Sequence, residues 1–464
     1  MPTPESPVEG PATTATFTFV DLFAGIGGFA AAFRTYGGQS VYSVEIDKAA
    51  AKVYEHNWGH AALGDITKDA TDEVMNVDPH TVLAAGFPCQ PFSKSGAQRG
   101  MDETRGTLYW NILQIIAKHH PAVVLLENVR NLAGPRHFHE WQIIIETLRA
   151  EGYHVSDEPS LFSPHLLPRE RGGRPQVRER VFITASYDPD GLGGVVPPRP
   201  AVLLRDLRGE EEWDLAADLP LEEDRHVMGC GLSDDEVWWI NAWDEWVQIM
   251  WKLRADQPAR KLPGFPIWVD AWKHEDRLRI PTGTPAWKAN FLRKNSALYT
   301  ANQEVFDGWV KKWRVKTAKF PPSRRKLEWQ AQATPRLWDC VMHLRPSGIR
   351  AKRPTYVPAL VAITQTSIIG PRRRRLSPLE AARLQGFPDE FDFGPQTAAA
   401  TYRQLGNGVN IGVVAHVLRE HVRRDKAILK ITEPDLVNAV LDEHFVSPDE
   451  VLPQLLAAHH ASAS

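Results

Sequence analysis

Residues 17–33 read FTFVDLFAGIGGFAAAF, and this stretch decides the fold. Residues 17–23 are rich in β-forming apolar side chains and read as a short strand. Ala24-Gly25-Ile26-Gly27-Gly28 follows as a turn whose glycines let the backbone pass close to a ligand. Phe29-Ala30-Ala31-Ala32-Phe33 then opens a helix. Strand, glycine turn and helix make the first unit of a nucleotide-binding α/β fold. Only part of the GxGxxG spacing is present, so the stretch alone is a weak signal. Residues 41–47 form a second strand ending in the carboxylates Glu45 and Asp47. An acid there either takes ribose hydroxyls or caps the helix expected over residues 48–58. Next, Asp65 in Gly64-Asp65-Ile66 reads as an acceptor for an adenine amino group or as an ordinary turn acid.

A third strand, residues 81–85, runs into GFPCQPFSKSG at 86–96. Pro88 and Pro91 restrict the backbone on either side of Cys89. Cys89 therefore stands at the C-terminal end of a strand, where open α/β sheets place ligands. The loop that follows is polar and flexible. Residues 108–119 make an amphipathic helix, and residues 122–126 an apolar strand that ends at Glu127-Asn128-Val129. A carboxylate directly after five apolar residues is either desolvated at a site or caps the next element. Another helix covers 137–150. Gln176-Val177-Arg178-Glu179-Arg180 leads into strand 181–183, and arginines two apart share one strand face. At least five strand–helix alternations in the first 185 residues predict an α/β domain with a largely parallel sheet.

The 464 residues are 43% hydrophobic and 24% charged, with a net charge of -3, which excludes a membrane-spanning or disordered class. Residues 1–15 read as a disordered leader. Three scattered cysteines (Cys89, Cys230, Cys340) argue against a disulfide framework or a cysteine-rich zinc site, and for a reducing, cytoplasmic setting. Composition changes after residue 185. Thirteen of the sixteen tryptophans lie between Trp213 and Trp338, and residues 288–326 hold eleven Lys/Arg against two acids. Cations interleaved with aromatics (Lys311, Lys312, Arg314, Arg324, Arg325) suit a phosphate-contacting face, or else a solvated one. Regular patterning returns at residue 377, where Ser377, Pro378 and Glu380 form a capping box and Gly386-Phe387-Pro388 stops the helix. Residues 402–409 read as a glycine turn, followed by a helix over 411–423. The acidic tail after Lys426 is expected to be helical, with a disordered small-residue end.

Taken together, these stretches resemble the DNA cytosine-5 methyltransferase family. The matching elements are DLFAGIGGF, VEID, GDI, GFPCQPFSKSG, ENV, QVRERVF, RRLSPLEAARLQGFP and QLGNGV, in the family's order. The resemblance implies a Rossmann-like, S-adenosylmethionine-dependent methyltransferase domain with a second, smaller target-recognition domain. Its boundaries would be 16–185 and 371–424 for the catalytic part, 186–370 for target recognition and 425–464 for the tail. Cys89 would attack carbon 6 of a flipped-out cytosine. Glu127 would bind ring nitrogen 3 and the exocyclic amine, and Arg178 and Arg180 the carbonyl oxygen. Phe23, Gly25, Ile26, Gly27, Glu45, Ile46, Asp65, Ile66, Pro88 and Asn407 would line the S-adenosylmethionine site. Ser93, Lys94, Ser95, Gln98 and Arg99 would close over the DNA. The implied partner is double-stranded DNA, with a restriction endonuclease as functional counterpart, no metal, no membrane, and a monomeric state. Gly408 stands where the family usually has serine, and Asn410 is also unusual. A tRNA-methylating relative would need less sequence-reading surface than this insert offers. A non-catalytic DNA-binding regulator would not need the intact Cys89, Glu127, Arg178 and Arg180 set.

Overall fold

A computed structural model describes residues 16–88, 107–209, 211–223, 227–255, 262–360, 366–445 and 447–463. Cys89, Ser93, Lys94, Ser95, Gln98 and Arg99 lie outside the described residues. The chain divides into two compact units, residues 1–210 with 382–464, and residues 211–381.

In the first unit the apolar runs become strands β1 (Phe17–Leu22), β2 (Gly38–Val44), β3 (Val82–Gly86), β4 (Val123–Val129), β5 (Tyr153–Val155), β6 (Ser160–Phe162) and β7 (Arg180–Tyr187). They form one sheet in the order β2-β1-β3-β4-β7-β5, with β6 also beside β7. The first four are parallel, whereas β7 runs antiparallel to β4, β5 and β6. The sheet is thus parallel in one half only. A parallel neighbour needs a long, usually helical crossover. Residues 163–179, between β6 and β7, contain only short 3-10 turns and a two-residue strand, so the chain reverses instead.

Helices α1 (Gly28–Arg34), α2 (Lys48–Trp58), α3 (Leu108–His119) and α4 (Phe138–Ala150) follow the periodicity of the sequence. Six of the seven α1 residues are buried. Gly27 precedes α1 at φ 90°, a left-handed conformation that glycine adopts without steric cost.

The C-terminal elements differ from the sequence reading in two places. Residues expected as a glycine turn belong to a helix (Ala398–Asn407, α6 below), started by Thr397, whose side chain accepts from the Ala400 N–H. The chain end is also helical, over Pro448–Ala463, with Leu452 and Leu456 one turn apart and buried. The small residues there are mainly alanines, which favour helix, and the leucine stripe gives them a surface to pack on.

In the second unit the long helix α5 (Asp234–Leu253) starts in a Ser233–Glu236 capping box. It packs its tryptophans on a sheet formed by β8 (Ile267–Trp268), β9 (Lys326–Gln330), β10 (Val341–Arg345), β11 (Gly348–Lys352), β12 (Ile368–Ile369) and β13 (Arg374–Arg375). Trp243 donates to the Arg324 carbonyl and Trp309 to that of Ala242, each at 2.8 Å, so these indoles enter the core with their N–H satisfied. The expected Ser377–Glu380 capping box is present, and Arg374 forms a buried ion pair with Glu380 at 2.6 Å.

Candidate active site

The C-terminal ends of β1, β3 and β4 open into one cavity of about 480 Å³ within the first unit. That volume lies in the range of small-molecule and cofactor sites. Phe23, Gly25, Glu45, Pro88, Glu127, Arg178, Arg180 and Asn407 all line it.

One side is built by the glycine turn. Glu45 accepts the Gly25 N–H at 2.9 Å through one carboxylate oxygen and the Asp47 N–H at 2.7 Å through the other. Asp47 caps α2 by accepting from Ala49 and Ala50. Of the two acids, Asp47 therefore takes the capping role, while Glu45 braces the turn and borders the cavity. Phe23 holds a positive φ of 57°, unusual for a bulky residue, at the cavity wall. Ile46 lies next in the chain and is 73% exposed.

The opposite side carries the charged groups. Register sets Gly86 of β3 beside Glu127 of β4, and Val129 beside Arg180 of β7. Glu127 is buried and pairs with the Arg180 Nε at 2.9 Å. Burial raises its pKa above the ordinary carboxylate value, against the pull of Arg180 and Arg178. Asn128 donates from Nδ2 to the Phe87 carbonyl at 2.8 Å, fixing the strand end just before Pro88. Arg178 is buried between the strands rather than in one, and its Nη2 donates to the carbonyls of Gly406 and Gly408. Burial, then the neighbouring Arg180, lowers its pKa.

The other expected residues fall elsewhere. Ile26 and Ile66 are core side chains, 1% and 4% exposed. Gly27 abuts Trp58, whose Nε1 donates to the Ile26 carbonyl. Asp65 caps the short helix that follows it, accepting from the backbone and hydroxyl of Thr67, and is held below the usual carboxylate range chiefly by that hydroxyl. None of these four, nor Ile46, lines the cavity.

Of the basic candidates in the second unit, Lys312 pairs with Glu245 at 2.5 Å. Arg324 donates to the Arg345 carbonyl at 2.8 Å and lies over the Trp239 ring. Arg325 donates to the carbonyls of Phe320 and Thr317 and to Asp270. Arg324 and Arg325 brace the unit's own elements, whereas Lys311, Lys312 and Arg314 are exposed.

The sequence reading missed Asn128, Arg403, Gln404 and Gly406 as wall residues. Arg403 pairs with Asp47 at 3.1 Å, and both border the cavity. Its adjacency to QLGNGV was the available signal. The unusual Asn410 caps the helix α7 (Ile411–Arg424) that follows α6, and donates to the Leu384 carbonyl.

The family model for C-5 cytosine-specific DNA methylases matches residues 17–423. The chain is 48% identical to the Type II methyltransferase M.AluI of Cellulosimicrobium cellulans, across 96% of this chain and 99% of that protein. It is 37% identical to M.HpaII of Haemophilus parainfluenzae over 44% of this chain and 56% of that one. To M.HhaI of Haemophilus parahaemolyticus it is 27% identical, over 86% and 92%.

Proposed function

Because the chain belongs to the C-5 cytosine-specific DNA methylase family and is a DNA cytosine-5 methyltransferase, we propose that it works through a covalent Cys89 adduct, with S-adenosylmethionine bound in the cavity described. The observation that carries this reading is the meeting of two groups of side chains on one cavity. The Glu45-braced glycine turn lies on one wall and the buried Glu127–Arg180 pair on the other.

Carbon 5 of cytosine is a weak nucleophile. Addition of the Cys89 thiolate at carbon 6 makes the ring enamine-like, so that carbon 5 can take a methyl group. S-adenosylmethionine, when bound, supplies that methyl as an electrophile. Glu127, whose pKa burial raises, donates a proton to ring nitrogen 3 as negative charge arrives there. Arg180 holds Glu127 in place and faces the base carbonyl. Loss of the proton at carbon 5 by elimination then releases Cys89. Because a duplex shields the ring from attack, the base is extruded into the cavity. Glu45, Phe23, Gly25 and Asn407 bind the donor. The Type II names of the relatives support a role in protecting host DNA from a cognate endonuclease.

Bisulfite sequencing of plasmid DNA after incubation with the protein and S-adenosylmethionine tests this reading. Protection of cytosines within one short sequence is expected. No protection on DNA, with methyl transfer to tRNA instead, would overturn it.

A further inference from the structure

We propose that the polar face of the second unit's sheet grips the sugar–phosphate backbone of the substrate DNA; this rests on the reading of DNA as the substrate. Successive side chains of a strand point to opposite faces. Leu327, Met342, Leu344, Ile349 and Ala351 are buried in the tryptophan core. Their neighbours Lys326, Glu328, His343, Arg345, Arg350 and Lys352 hold the other face and are half-buried. Register sets His343 opposite Arg350, and Glu328 beside Arg350 on the next strand.

Among the described residues, that face carries four cations and a single carboxylate. Glu328 is already shared, since it pairs with Arg345 and, at 3.0 Å, with Arg350. His343 adds no charge. It bonds Ser367 at 2.6 Å, and burial followed by the neighbouring cations lowers its pKa to about 4. Lys352 is likewise lowered, by burial and then by Arg350, as expected where positive charge is under-compensated. The Nε atoms of Arg345 and Arg350 are buried and have no hydrogen-bond acceptor among the described residues.

Half-buried donors and excess positive charge call for an anion rich in acceptor oxygens. The cations are spread over three adjacent strands, roughly 4.8 Å apart. They form a strip rather than a pocket for one small anion, which matches a repeating phosphate chain. Within the 311–326 run, Arg324 and Arg325 donate to main-chain carbonyls of the unit itself.

The test uses the full chain and a fluorescein-labelled duplex, with binding followed by anisotropy across a salt series. Thermal unfolding checks that each variant folds, and methyl transfer to the same duplex is measured for the unsubstituted protein. Lys352→Ala should weaken binding about three- to tenfold and reduce the slope of log affinity against log salt by about 1. Glu328→Gln should tighten binding several-fold, because it removes the acid that pairs with Arg345 and Arg350. A merely structural Glu328 would instead leave affinity unchanged or lower it. Methyl transfer by the unsubstituted protein, with an unchanged Lys352→Ala slope and no gain in Glu328→Gln, would overturn this proposal and spare the proposed function. Absence of both binding and transfer in the unsubstituted protein would overturn both.

Discussion

The buried guanidinium of Arg178 donates to the carbonyl of Gly408 at 2.7 Å, and also to that of Gly406 at 2.9 Å. One side chain thereby joins the segment that leads into β7, the neighbour of β4 and its Glu127, to the C-terminal end of α6 around Asn407. A guanidinium can reach two carbonyls at once, and an ammonium does so less well. We propose that Arg178 acts as a positioning residue for the donor side of the cavity. Arg178→Lys should raise the KM for S-adenosylmethionine about tenfold while changing kcat less. Steady-state methyl transfer at varied donor concentration separates the two. An effect on kcat alone would place Arg178 at the reacting base instead.

Glu127→Gln should lower kcat by roughly 10²- to 10⁴-fold, the usual range for a lost general acid–base group. The amide fills the same space and can still face Arg180, so donor affinity should hold. The unsubstituted protein's pH–rate profile should fall on the alkaline side as Glu127 loses its proton. The direction follows from burial, which raises that pKa. Glu127→Gln should lack this limb.

Much of the first unit was legible because its elements obey local rules. The strand–turn–helix at 17–33 and the helix Leu108–His119 follow from apolar spacing and glycine placement. Helix α5 was not read from the sequence, although Trp239, Trp243 and Trp246 fall at i, i+4 and i+7 on one face; its buried set also takes in Ile240, Ala242, Asp244 and Val247, a wide arc with a carboxylate in it that blurs the stripe. The indole N–H groups of Trp238, Trp239 and Trp243 are satisfied by distant carbonyls, those of Trp313, Lys319 and Arg324. The reversal of β7 depends on the connection before it and on pairing with β4, neither of which shows in the strand's own residues. Within the site, the acids and arginines were found by motif. Asn128 was missed because its bond to Phe87 arises only once β3 and β4 lie side by side.

Asp21 is fully buried on β1, and one carboxylate oxygen accepts the Ala30 N–H at 3.3 Å. Burial raises its pKa well above the ordinary value, with Glu45 adding to the effect. The folded state therefore binds more protons than the unfolded one between the two pKa values. The stabilisation is complete below pH ~4, the unfolded value, and is lost as pH rises toward the folded value. One proton gives a slope of about 1.4 kcal/mol per pH unit. Asp21→Asn keeps an acceptor for Ala30 and should flatten this slope. Denaturant unfolding at pH 5 to 8 checks it, with the variant gaining on the unsubstituted protein as pH rises.

The Arg374–Glu380 pair is almost wholly buried, and Glu380 also accepts the backbone N–H groups of Ser377 and Glu222. Removing the acid strands a buried guanidinium. Glu380→Ala should destabilise the second unit by about 3–5 kcal/mol. Tryptophan fluorescence in a urea titration reads this directly, since that unit's core is rich in tryptophan.

The central claim is the covalent step at Cys89. The most direct measurement incubates the protein and S-adenosylmethionine with a duplex carrying 5-fluorocytosine at the target position. Fluorine blocks the final elimination, so a denaturation-resistant protein–DNA adduct should accumulate, and mass spectrometry should place it on Cys89. An adduct on another residue would contradict the account. So would the absence of any adduct on a duplex whose unfluorinated form is readily methylated.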